Sequence, residues 1–273
     1  MNMSVVVSRD AIVQRVKEEL EPLPFVRAYW EGGAIGYGAV DEWSDLDLYV
    51  VVGDDNVSEG FAAVEKALSS LSPIKQKYDI GKTPMEGVYQ AFYKLRDASD
   101  YHLIDLAVLQ ASAPDKYLEP VVHGRAEFHF RKDDSIAIPK LDRGALSQRI
   151  SARLDRLEAR KAMFGTFVRK EMNRRNCIEA VDLYRVVLID SLVELLRMRH
   201  FAPHYDFKMR YLHRELPQDV AGRLQELCFV KDEDDLEAKI VSASDWFDAL
   251  LGEIRSEGVA RLVDGAVDRV SDG

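Results

Sequence analysis

The spacing of apolar residues changes character part-way along this chain of 273 residues. Up to about Pro139, short apolar runs alternate with single helical segments. Ser8 reads as an N-cap, followed by Ile12, Val13, Val16 and Leu20 at helical spacing, until Pro22 and Pro24 end the helix. Strands are predicted over Phe25–Trp30, Asp45–Val52, Val88–Leu95, Leu103–Leu109 and, more weakly, Ala126–Phe130, with a helix over Phe61–Leu71. The strand ending at Val52 runs into Gly53-Asp54-Asp55, a turn signal. A glycine-rich stretch, Gly32 to Gly38, separates the first two strands.

Beyond Pro139 the period is helical throughout. Ile150, Leu154, Leu157, Phe164 and Val168 mark one apolar face. Ile178, Val181, Leu188, Leu192, Leu195 and Leu196 mark a second helix, and Val220, Leu224 and Leu227 a third. Leu236, Ile240, Trp246, Phe247, Leu250 and Ile254 mark a fourth, whose start carries the acidic run Asp232 to Asp235, where negative charge suits a helix N-terminus. The fold class that follows is α+β: an N-terminal domain with a mixed sheet over residues 1–142, then a C-terminal helical bundle over 143–273.

Composition narrows the functional classes. Hydrophobic residues make up 47% and charged residues 31%, as in a soluble globular protein, and the formal net charge is −10. Long nucleic acid is disfavoured as a partner, because phosphate contacts call for a basic face. Cys177 and Cys228 form no CxxC pair and read as reduced thiols near packed helices. The apolar run Val5 to Val7 is too short for a signal-peptide core or a membrane span, so no membrane is expected and the cytoplasm is the expected compartment.

Candidate chemistry concentrates in Gly33-Ala34-Ile35-Gly36-Tyr37-Gly38, a five-residue spacer, and Ser44-Asp45-Leu46-Asp47-Leu48. Side chains two apart on a strand share a face, so Asp45 and Asp47 would stand side by side at the start of an otherwise apolar strand. Two carboxylates there repel each other and resist burial, a conflict that a hard divalent cation resolves. The glycines just upstream let backbone N–H groups approach an anion closely. A metal pair beside a phosphate cradle points to phosphoryl or nucleotidyl transfer. Asp105, amid Leu103 to Leu109, is a third acid that needs a reason to sit in an apolar strand; a buried salt bridge is the other reading of it.

This pattern resembles the Gly-Ser-x-x-x-Gly, spacer, Ser-Asp-x-Asp signature of the nucleotidyltransferase superfamily that includes DNA polymerase β. The chain is similar within it to the small-molecule nucleotidyltransferases, such as the lincosamide and aminoglycoside enzymes, which join a short α+β domain to a helical one. The motif itself covers only about Gly33 to Val52. The resemblance implies transfer of a nucleoside monophosphate from a nucleoside triphosphate, ATP being the expected donor, to a hydroxyl of a small molecule, with an antibiotic among the candidate acceptors. It implies Asp45, Asp47 and Asp105 as catalytic ligands of two Mg²⁺ ions, and Gly33, Ala34, Gly38 and Ser44 as the lining of the phosphates. It also raises a homodimer as the assembly. A protein nucleotidyltransferase of the toxin–antitoxin (AMPylator) type and a catalytically weak regulatory nucleotide-binding module are the competing classes.

Two positions depart from the family's pattern. Ala34 stands where a serine is usual, and Tyr37 where Arg or Lys is common, so other cations must balance the phosphates. The candidates are the basic stretch Arg153, Arg156, Arg160, Lys161, Arg169, Lys170, Arg174 and Arg175, and Lys208 in Tyr205-Asp206-Phe207-Lys208; a solvated helix face is the alternative for the former. His200 and His204 are four apart, but Pro203 between them argues against a helical zinc pair. Trp43 and Trp246 are read as packing residues, Trp43 being the one to watch because it adjoins the metal strand.

Overall fold

A computed structural model describes residues 6–132 and 136–271 of the chain, so Val5 of the N-terminal apolar run lies outside the described residues. The chain divides into two compact units, Met1–Lys140 and Leu141–Gly273.

In the first unit α1 (Arg9–Leu20) starts at Ser8, whose hydroxyl accepts the amide of Ala11. Six strands follow: β1 (Val26–Glu31), β2 (Leu46–Val52), β3 (Ile74–Lys82), β4 (Val88–Leu95), β5 (Ile104–Gln110) and β6 (Glu127–Arg131), with α2 (Val57–Leu71) after β2 and the short α3 (Pro120–His123) before β6. They form one sheet in the order β3-β4-β5-β2-β1-β6, in which β2 and β5 are parallel and every other pair is antiparallel. Alternation along β2 and β5 sorts their residues onto two faces. Leu46, Leu48, Val50, Ile104, Leu106 and Val108 join the core made with α1 and α2. Val51, Ala107 and Leu109 belong to a smaller cluster with Ala28, Trp30 and Leu118, so Asp47 and Asp105 fall on this second face.

The sheet carries one strand that periodicity does not predict. β3 is exposed along nearly its whole length and has no apolar alternation. It is an edge strand held by pairing with β4, and its lysines Lys75, Lys77 and Lys82 suit an edge that must not pair further. The glycine stretch is also more ordered than a loop: Gly33–Tyr37 forms a 3₁₀ turn closed by Gly38 in the left-handed region.

The second unit is all helical: α4 (Arg143–Asn173), α5 (Cys177–Leu183), a π-helical turn (Tyr184–Ile189), α6 (Asp190–His200), a 3₁₀ turn (Ala202–His204), α7 (Leu212–Glu215), α8 (Gln218–Cys228), α9 (Glu233–Glu257) and α10 (Val259–Ser271). Leu146, Ile150, Leu154 and Leu157 of α4 are buried as their spacing predicts, but Phe164 is exposed and stacks edge-on against Phe167. Ile178 and Val181 are exposed too, correcting their reading as the start of a continuous apolar face. The π turn explains this: its wider winding shifts the phase, so the buried set restarts at Tyr184, Val187, Leu188 and Ile189. α10 escapes the periodicity reading because α9 ends at Gly258 only one residue before it, and the two run together in sequence. Asp232 caps α9 by accepting the amide of Asp235. Cys177 donates to Glu233, and Cys228 is exposed. Among the described residues no helix is long and apolar enough to cross a membrane.

Candidate active site

The parallel pairing of β2 with β5 sets Asp47 directly opposite Asp105. Adjacent strands lie about 4.8 Å apart, so two carboxylates in register on one face are near neighbours. Both are half-buried, and both are flanked by fully buried residues, Leu46 and Leu48 on β2 and Ile104 and Leu106 on β5. Gln90 of β4 donates its amide to Oδ1 of Asp105 at 2.7 Å, which fixes that carboxylate's orientation. Asp45 lies just before β2 and is exposed.

The 3₁₀ turn meets this pair directly. Gly33 has φ +60°, and a Cβ there would lie 1.7 Å from Oδ2 of Asp47. Only glycine fits, on both counts: the left-handed backbone and the carboxylate pressed against its Cα. The Gly32 amide donates to the Asp47 carbonyl at 3.0 Å, tying the start of the turn to β2. Downstream, the Gly38 amide donates to the carbonyls of Ala34 and Ile35, and the Ala34 side chain is buried. The Ser44 hydroxyl donates to Asp41 at 2.8 Å and accepts the Asp41 amide at 2.9 Å, closing the turn that delivers Asp45. Tyr37 donates to the Val122 carbonyl at 2.6 Å. Trp43 is 59% exposed, which corrects its reading as a packing residue: the tight turn around Asp41 and Ser44 turns it outward. Trp246 is buried, with the Arg223 guanidinium 4.0 Å from its ring centre.

Behind the carboxylates lies an ion cluster absent from the sequence reading. Glu31, at the end of β1, is 3% exposed; Arg9 donates to its Oε2 at 2.6 Å, and His129 of β6 lies 3.1 Å from Oε1. Arg9 also donates to the Asp45 carbonyl, pinning the entry to β2. Burial pushes the Glu31 carboxyl up, but the His129 hydrogen bond and the Arg9 charge together hold it below the ordinary glutamate range. Its signal was available: Glu31 is an acid ending an apolar strand, the same anomaly that marks Asp105. Gln90 carries no such signal. His102, just before β5, has its Nδ1 buried with no hydrogen-bond partner among the described residues.

Most of the basic stretch is engaged inside the second unit. Arg153 grips Glu194 through two hydrogen bonds of 2.6 Å, Arg160 donates to the Val186 carbonyl, and Lys161 pairs with Asp248 at 2.6 Å. Arg174 pairs with Glu171 at 2.8 Å. Lys208 follows the Ala202–His204 turn and lines a cavity of about 580 Å³ with Arg149, Arg153, Arg156, Glu194 and Tyr205. His200 ends α6, while His204 is buried with Nδ1 2.7 Å from Glu215, so the two do not form a metal pair.

Of the expected site residues, then, Asp47, Asp105 and Gly33 come together, Asp45 adjoins them, and Gly38 and Ser44 shape the connecting turns. Lys208 belongs to the other unit. Among the described residues, no three acidic, histidine or cysteine side chains are grouped so that they could hold a metal ion. The donor set still fits Mg²⁺, which takes one or two carboxylates and draws its remaining ligands from water and substrate phosphates.

In shape the chain is similar to several solved proteins. An aminoglycoside 6-adenyltransferase from Bacillus subtilis is 15% identical, with 97% of this chain and 98% of that one covered and a TM-score of 0.38. A nucleotidyltransferase-like protein from Exiguobacterium sibiricum is 13% identical, covering 90% and 76%, with a TM-score of 0.38. A spectinomycin adenyltransferase from Enterococcus faecialis, solved with ATP and spectinomycin, is 14% identical, covering 96% and 97%, with a TM-score of 0.34. No protein-family model matches the chain, and no curated protein matches it.

Proposed function

We propose that this protein is an enzyme that transfers a nucleoside monophosphate from a nucleoside triphosphate to a hydroxyl of a small molecule. The observation that carries the proposal is the register of Asp47 against Asp105, with the Gly33 turn pressed onto Asp47. Two carboxylates in register on one face are an arrangement that metal-assisted phosphoryl transfer uses.

In this reading the acceptor oxygen attacks the α-phosphorus, the bond from that phosphorus to the bridging oxygen breaks, and pyrophosphate leaves. Asp105, oriented by Gln90, takes the acceptor's proton. Asp45, Asp47 and Asp105 would hold Mg²⁺, which when bound neutralises charge on the triphosphate and lowers the pKa of the acceptor oxygen. The turn carrying Gly33, Ala34, Gly38 and Ser44 borders the phosphates. ATP is the proposed donor, and an antibiotic is one acceptor to test.

The test is incubation with each α-labelled nucleoside triphosphate and Mg²⁺ against separate pools of antibiotics, metabolites and cell protein, with Asp45→Asn as control. Label on a small molecule supports the proposal. Label on protein replaces it with protein nucleotidylation, and label on neither, with nucleotide still bound, replaces it with a regulatory binding module.

A further inference from the structure

Trp43 and Tyr101 are large aromatic residues that the fold leaves outside. Each is 59% exposed, and among the described residues neither ring has a stacking partner or a side-chain hydrogen bond. They occupy equivalent places. β2 and β5 pair in parallel with Leu46 opposite Ile104, and Trp43 and Tyr101 each lie three residues before the first of those partners. The turns that carry them are built alike. In Asp41-Glu42-Trp43-Ser44 the Ser44 amide donates to the Asp41 carbonyl at 3.2 Å, and the Trp43 amide to Oδ1 of Asp41 at 3.1 Å. In Ser99-Asp100-Tyr101-His102 the His102 amide donates to the Ser99 carbonyl at 3.0 Å, and the Tyr101 amide to Oγ of Ser99 at 3.3 Å. Each turn is braced by a short polar side chain at its first position, and each sets an acid before the aromatic residue.

The Leu46 amide donates to the Leu103 carbonyl at 2.8 Å, so the strands are already paired where the twin turns hand over to them. Adjacent strands lie about 4.8 Å apart, which makes the two aromatic residues neighbours at the entry to the acid-bearing strands. Four residues separate each from the acid of its own strand, Asp47 or Asp105. That is at most about 13 Å, within reach of the sugar and base of a nucleotide whose α-phosphorus lies at the acids. Charge decides which part of a nucleotide belongs here. Asp41, Glu42 and Asp100 are exposed beside the rings, Asp100 with Lys75 3.4 Å away, and this acidic rim repels a phosphate. A base is neutral, has a flat face to stack, and carries donors that a carboxylate accepts.

We infer that Trp43 and Tyr101 form the platform on which the nucleobase of the donor triphosphate stacks. This inference rests on the proposed transfer reading, in which the α-phosphorus lies at the acids and the phosphates lie against the glycine turn on the β1 side of β2. Every base has a π-face, so such a platform adds affinity for any base and leaves the choice among bases to other contacts.

Calorimetry on the full chain with Mg²⁺–ATP and with Mg²⁺–tripolyphosphate, which has no base, separates stacking from phosphate binding. Trp43→Ala is expected to weaken ATP binding about tenfold, the scale of one base on one ring, and to leave tripolyphosphate binding unchanged. Tyr101→Ala should weaken ATP binding by a smaller factor, and Trp43→Phe should keep most of the affinity. Trp30 and Trp246 are buried, so acrylamide quenching of the wild-type fluorescence reads chiefly Trp43. ATP should shield that emission and tripolyphosphate should not. Equal losses for both ligands in Trp43→Ala, or undiminished ATP binding, would overturn the inference; undiminished binding with lowered turnover would give the rings to the acceptor instead. If the wild-type protein binds neither ligand, the transfer reading falls and takes the platform with it. If it binds both, and Asp47→Asn loses turnover while Trp43→Ala keeps wild-type ATP affinity, the platform falls alone.

Discussion

Glu31 on β1 and Asp47 on β2 are both acids within apolar strands of one sheet, yet their neighbours differ in sign. Glu31 meets Arg9 and His129, while Asp47 faces Asp105. Glu31 is the more deeply buried, and its charge is answered by the protein's own cations. Asp47 keeps partial exposure on the other face and stands beside a second carboxylate. The contrast teaches how to read an acid in a strand. An opposite charge at hand marks a strut, and a like charge in register is the feature on which the proposed transfer site rests.

The comparison can be broken most sharply at Asp47. Replacing it with Asn should lower turnover about 10³-fold or more, the several kcal/mol expected of a charge-neutralising ligand, while the thermal midpoint stays level or rises. Wild-type turnover in steady-state assays would sink the assignment. Glu31→Ala should do the reverse. It leaves the half-buried Arg9 without its carboxylate and empties a buried position, and should cost about 1–3 kcal/mol in denaturant melts. The same residue predicts a pH effect. Because the folded carboxyl titrates below its ordinary value of 4.5, its stabilisation is present above that value and is lost as pH falls through the folded pKa. Glu31→Gln should therefore flatten the acid limb of the stability profile below about pH 4.5, and an unchanged limb would remove Glu31 as a strut.

Gly33→Ala probes the seam between turn and carboxylate. A methyl group in that space must displace Asp47, at a cost of about 1–3 kcal/mol for the left-handed backbone, and turnover should fall more than stability does. If melts and kinetics fall in step, the turn is scaffold alone. The smallest effect is expected from Ala34→Ser, which places a hydroxyl where the signature that the Gly33–Asp47 segment resembles has one. Triphosphate affinity should rise about tenfold, as for one hydrogen bond to a charged group, and calorimetry showing no gain would remove the serine argument.

Sequence periodicity was a good guide wherever burial imposed it. β4 begins and ends where the apolar pattern of Val88 to Leu95 does. β3 was illegible because its order comes from pairing with a neighbour and not from a buried face. The phase shift at Tyr184 was illegible because a π turn inserts winding without any residue that announces it. At the site, Asp45, Asp47 and Asp105 could be read as misplaced charges. What the sequence could not convey was register: that Asp105, and not another residue of β5, lies opposite Asp47. Arg9 and Gln90 were hidden for the same reason, since their partners are close only after the chain has crossed the sheet.

The parallel pairing of β2 with β5 has a temporal consequence as well. α2, β3 and β4 all lie between these strands in the chain, so the two aspartates meet only after a long crossover has closed. Contacts of that kind form slowly, because the entropy of closing the loop is lost before any pairing is gained. A chain emerging from the ribosome with β2 formed and β5 still unmade would carry the glycine turn and half of the acid pair, and so would lack the site that the proposed transfer needs. Catalytic competence and completion of the sheet would be acquired in the same folding event.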